Sequence, residues 1–157
     1  MPHEPREVKT EVNSEQPMAR EAILDLFDRR QEAFDNLDAA MLAADYTDDC
    51  YVESPYGGAH VGRVAAEQVL RGWFEAFLDL KMRSKELIID GSRVAQVFEV
   101  EGTDLGGILG LAPTGKAFRV PTVFLYELKG QKIHQERRIY DFTGLLIQIG
   151  VLKAKPI

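Results

Sequence analysis

Apolar positions along this chain fall first at the spacing of helices and later at the spacing of strands. Ile23, Leu26, Phe27, Phe34 and Leu37 form one helical stripe, and Pro17 suits the first turn of that helix. Asp38 is placed to cap a second, short helix, AAMLAADY. CYVES is a short strand candidate, broken by Pro55-Tyr56-Gly57-Gly58. After Gly62, the spacing of Ala66, Val69, Leu70, Trp73, Phe74 and Phe77 predicts an amphipathic helix. From Lys81 onward the period drops to two. KMRSKELIID and RVAQVFEVEGT flank Asp90-Gly91-Ser92, while KAFRVPTVFLYEL and KIHQERRIYD flank Lys129-Gly130-Gln131, which predicts two hairpins. Helices first and strands after predict an α+β fold, with helices packed on one face of a curved, mostly antiparallel sheet. Pro121 has no N–H for a ladder and is expected at an edge or a bulge.

Composition narrows this picture without changing it. A chain of 157 residues, 45% hydrophobic, is enough for one domain with one core. That domain is expected over residues 17–157, after a loose, charged, proline-containing tail over residues 1–16. A formal net charge of -6 argues against nucleic acid and anionic membrane as partners, since phosphate binding needs a basic surface. Cys50 is the single cysteine, so no internal disulfide can form. With no apolar leader segment, a reducing cytoplasmic setting is expected. No apolar run approaches the roughly 20 residues needed to span a bilayer.

Strand alternation points to candidate chemistry. Phe98, Val100, Gly102 and Asp104 share one face, so Asp104 is expected to face the interior. Continued alternation from Ile133 through Gln135, Arg137 and Ile139 places Asp141 inward, with Arg137 on the same side. One of Tyr51 and Glu53 is also expected to face inward. Carboxylates facing an apolar interior have their charged forms disfavoured, which makes them candidates for proton transfer. Asp141 also precedes FTGLLIQIG, where it can cap a short helix. GLAPTGKA comes close to a phosphate-binding loop, but Ala117 replaces the required hydroxyl and a strand pattern follows, so nucleotide binding is rejected. His3, His60 and His134 lack metal-ligand spacing, and no cofactor is expected.

Residues 17–152 resemble the nuclear transport factor 2-like superfamily. Within it, GTDLGGILGLAPTGK and IYDFTGLLIQIG resemble the SnoaL-like polyketide cyclases. The resemblance implies a cone-shaped sheet wrapped on helices, a deep pocket, a homodimer, and Asp141 as general base. Asp104 stands where the cyclase pattern has a histidine. A second resemblance, to limonene epoxide hydrolases, implies roles for Asp104, Asp141 and Tyr51 in positioning water. There Gly102 replaces an arginine and Glu53 an asparagine. The expected function is a cofactor-independent acid/base enzyme, of cyclase or isomerase type, acting on a small apolar carbonyl compound. Asp141 would remove a proton alpha to the carbonyl and a protonated Asp104 would donate to the oxyanion. Tyr51, Glu53 and Arg137 would contact substrate, and Leu105 to Ala112 would form an apolar lid. A binding protein without chemistry and an epoxide hydrolase are the alternatives.

Overall fold

The computed structural model describes residues 17–154, and the tail expected over residues 1–16 lies outside them. The chain runs α1 (Arg20–Asp35), α2 (Ala39–Ala43), β1 (Tyr46–Ser54), β2 (Gly58–Val61), α3 (Arg63–Ala76), β3 (Lys81–Asp90), β4 (Arg93–Thr103), β5 (Ala117–Lys129), β6 (Lys132–Tyr140) and α4 (Phe142–Gln148). The first helix begins at Arg20, after Pro17, with Ala19 at its N-cap. Asp38 caps α2 as expected, accepting from the Met41 amide at 2.9 Å. The strand expected at CYVES starts earlier, at Tyr46, and is followed by a strand, β2, that the turn-rich sequence concealed.

One six-stranded sheet runs in the order β2-β1-β6-β5-β4-β3. The β1–β6 pair is parallel and the other neighbours are antiparallel. The two expected hairpins turn at Gly91 and Gly130, with φ of 59° and 60°, the left-handed region where glycine is least strained. One sheet face carries the core. It packs against Leu26, Phe27 and Phe34 of α1 and Leu70 and Phe74 of α3. Phe34, Phe98 and Phe124 meet edge to face, with centroids 5.1 to 6.4 Å apart. Pro121 sits in the central strand β5, opposite Glu99, and pairing to β6 begins only at Thr122. Two residues earlier along the same strand edge, the Arg119 N–H and C=O bond the Gln148 side chain of α4. Pro121 therefore faces the point where β6 has run out, a local edge inside the sheet. Among the described residues no helix is long and apolar enough to cross a membrane.

One irregularity decides which side chains of β6 face the core. Glu127 pairs with Gln135, but Leu128 pairs with Ile133, so His134 is an extra residue in the ladder. Beyond this bulge the parity flips. Glu136 and Arg138 are buried, while Gln135, Arg137 and Ile139 are exposed. This corrects the inward placement of Arg137 and Asp141 that strict alternation implied.

Candidate functional site

Between α3, α4 and the core face of the sheet lies a cavity of about 40 Å³. Its walls are mostly apolar, among them Leu70, Trp73, Phe74, Phe118 and Leu145. Thr122, Arg138 and Tyr140 are its polar lining residues. The space holds a few waters at most, far short of the several hundred Å³ of a ligand pocket. The deep pocket expected from the resemblance is therefore closed down in this structure. Trp73 also lines an open groove of about 600 Å³ between α3 and the loop Gly107 to Gly110, so its indole is a wall common to both spaces. Tyr56, Trp73, Tyr140 and Phe142 form a continuous aromatic partition, with neighbouring centroids 4.9 to 6.2 Å apart.

Behind the cavity lies a charged network. The Tyr46 hydroxyl donates to Glu136 Oε1 at 2.7 Å, and Arg138 Nε donates to Glu136 Oε2 at 2.8 Å. Arg30, from the buried stripe of α1, brings Nη2 to 3.5 Å from the same Glu136 carboxylate and donates Nη1 to the Leu42 carbonyl at 3.1 Å. The Arg30 guanidinium is flanked by the rings of Phe34, Tyr46 and Tyr126 at 5.4 to 5.7 Å. Burial opposes the charge on both arginines, yet the surrounding phenols and Glu136 hold both guanidinium pKa values above the usual arginine range. Arg138 lies over the Phe124 ring at 5.2 Å. Its Nη2 is 2.7 Å from Glu136 Oε2, at an angle that makes no hydrogen bond. The Tyr140 hydroxyl is buried and has no hydrogen-bond partner among the described residues, with Ser54 and the Tyr56 backbone as polar neighbours. Burial pushes its phenol up to about 12.

The residues singled out from sequence are not brought together. Asp104 faces inward and is fully buried, as its parity implied. Its carboxylate, however, accepts from the Gly107 amide at 3.1 Å and from the Thr114 amide and hydroxyl at 2.9 and 3.0 Å. Both oxygens are thus occupied by the loop, and neither Asp104 nor Asp141 lines the cavity. The expected apolar chamber between two acids is replaced by a carboxylate clasp that folds the 104–116 loop. Asp141 is exposed and caps α4, its Oδ1 accepting from the Gly144 amide at 2.8 Å. Tyr51 and Glu53, two positions apart, share a face, and it is the outer one. The Tyr51 hydroxyl donates to Glu53 Oε2 at 3.0 Å and Arg137 pairs with Glu53 across the strands. These three residues line a solvent-open depression of about 330 Å³ on the far side of the sheet from the helices. A water-positioning set built on Tyr51 and Glu53 is therefore not assembled at the cavity. Arg30, Glu136, Arg138 and Tyr140 escaped the sequence reading. Arg30 left a signal, since a charged residue stands three after Phe27 and four before Phe34 on an apolar stripe.

The family model of SnoaL-like polyketide cyclases matches residues 24–149. The chain is similar to nogalonic acid methyl ester cyclase of Streptomyces nogalater, 32% identical over 95 residues that cover 59% of this chain and 70% of that one. Among solved structures, TsrD from Streptomyces laurentii matches with a TM-score of 0.75 at 21% identity, covering 86% of this chain and 99% of that one. A nuclear transport factor 2-like protein from Burkholderia pseudomallei matches with a TM-score of 0.72 at 15% identity, covering 85% of this chain and 99% of that one. The structural likenesses establish the fold, an open and mostly antiparallel sheet wrapped on helices.

Proposed function

This chain belongs to the SnoaL-like polyketide cyclase family, and from that premise we propose that it is a cofactor-independent acid/base enzyme acting on a small apolar carbonyl compound. The reaction is of cyclase or isomerase type and begins with removal of a proton alpha to the carbonyl. The supporting observation is an apolar cavity whose polar lining, among the described residues, is Thr122, Arg138 and Tyr140. A carbonyl oxygen seated there accepts from the Tyr140 hydroxyl, and the Arg138 guanidinium favours the negative charge that develops on it. In a water-poor site such groups are worth far more than in solution. Asp141, next in the chain to Tyr140, is the proposed base. To act, its carboxylate must turn from the Gly144 amide, and Trp73 must swing aside to admit the substrate. Asp104 takes no part in proton transfer in this reading and instead holds the lid loop.

The same reading includes a homodimer formed through the outer sheet face, where Tyr51, Ile88, Leu125 and Ile139 are exposed. A cytoplasmic setting accords with a single, buried, unpaired cysteine, Cys50. The test is exchange of alpha hydrogens in D₂O, followed by NMR across a panel of cyclic ketones and β-keto esters. Catalysed exchange that Asp141→Asn abolishes is the expected result. Among the described residues no carboxylate lines the cavity, which favours one other reading, a binding protein without chemistry. Ligands that bind with no exchange above buffer would establish that reading and end the enzymatic one.

A further inference from the structure

We infer that the cavity, once Trp73 swings aside and joins it to the groove of about 600 Å³ beyond, takes an organic oxyanion: its ligand presents a delocalised negative oxygen to Arg138 and Tyr140 from a small apolar skeleton. The inference rests on the reading above only for where the ligand sits.

It follows from the charges behind the cavity wall. Two guanidiniums, Arg30 and Arg138, share one carboxylate, Glu136, and the exposures of the three side chains are 0%, 4% and 0%. The nearest other counter-charge is Asp45, 3.8 Å from Arg30 and partly exposed. Counted with Asp45, two guanidiniums face two carboxylates, but Asp45 pairs with Arg30 and is partly exposed, so the three buried side chains by themselves carry one more positive charge than negative. Uncompensated charge inside a protein is expensive and persists where a partner arrives. Of the three buried side chains, Arg138 is the one that lines the cavity. Glu136 engages its Nε and lies beside its Nη2 without a hydrogen bond, so the flat fork is not used up. The Tyr140 hydroxyl is a second buried group, close to the Ser54 side chain and the Tyr56 backbone but in hydrogen-bonding geometry with neither. A carboxylate or an enolate accepts from both and balances the buried charge. A neutral ketone of the same shape meets the same donors but leaves the surplus in place.

The experiment is equilibrium binding at pH 7 and low chloride, by calorimetry or NMR titration. Benzoate is compared with benzamide, and an acidic cyclic β-diketone, bound as its enolate, with the matching monoketone. The anion of at least one pair is expected to bind ten-fold or more tighter than its neutral partner. Which pair shows the preference tells a carboxylate ligand from an enolate one. Arg138→Met should erase the preference. It leaves Glu136 held by Tyr46 at 2.7 Å and facing Arg30 at 3.5 Å, so the fold is expected to survive. Should that variant fail to fold, Arg138→Lys, which keeps the charge and loses the fork, is expected to weaken the preference, and Tyr140→Phe to reduce it. Neutral partners that bind as well as both anions in the wild type would overturn the inference. So would a preference that survives Arg138→Met. Because these probes need not react, failure here is distinct from failure of the exchange assay.

Discussion

Asp104 separates burial from catalysis. Sequence parity placed its side chain inward, and it is inward, but three loop donors close on it within 3.1 Å. The residues around it have matching structural reasons. A Cβ at Gly106 would lie 1.9 Å from the Glu75 carbonyl, and one at Gly107, with φ 85°, would lie 2.3 Å from the Leu111 carbonyl. The GTDLGG and PTGK segments thus encode a loop pressed onto the end of α3. Asp104→Ala is expected to cost about 3 kcal/mol of stability in chemical denaturation, because it orphans buried donors. Tyr140 carries a different signature. Its proton is held to about pH 12 in the fold, whereas the unfolded chain releases it from about pH 10. The unfolded state then binds fewer protons across that window, so stability falls as pH rises through it. In urea melts from pH 9 to pH 11.5, wild type is expected to lose stability more steeply than Tyr140→Phe.

At the scale of elements, the helices and hairpins were legible because their periods are simple. Asp38 capped its helix, Gly91 and Gly130 turned their hairpins, and α3 buried Ala66, Leu70 and Phe74 of the stripe that its spacing marked, with Val69 and Trp73 half-buried. The last strand was not legible. The bulge at His134 leaves no compositional trace in KIHQERRIYD, yet it exchanges the two faces of everything after it. That one extra residue moved Arg137 and Asp141 outward and Glu136, Arg138 and Tyr140 to the core side. Glu136 then has to satisfy charges from two elements, Arg138 on its own strand and Arg30 on α1. Glu136→Ala is expected to destabilise by about 3–5 kcal/mol, since it leaves Arg138 buried without a carboxylate and Arg30 with only the partly exposed Asp45. Arg138→Met, which leaves a one-to-one pair, is expected to cost clearly less in the same denaturation experiment.

For the whole molecule, the sheet has two faces with different work. The inner face, against the helices, holds the cavity and the charged network. The outer face exposes Ile88, Leu125 and Ile139 beside the Tyr51–Glu53–Arg137 cluster. If that face joins two copies, sedimentation should find a dimer that Leu125→Glu converts to monomer with its circular dichroism unchanged. A wild type that sediments as a monomer at high concentration would remove the proposed interface. Placement of the substrate carbonyl at the inner cavity, beside Tyr140, is also what the proposed function depends on most. Its most direct test is the kcat/KM for alpha-hydrogen exchange in two variants that each remove one hydroxyl, Tyr140→Phe on the cavity and Tyr51→Phe on the outer face. A loss of about 10²-fold, carried mainly by kcat, is expected for Tyr140→Phe, and a value near wild type for Tyr51→Phe. Full activity in Tyr140→Phe together with a large loss in Tyr51→Phe would contradict it.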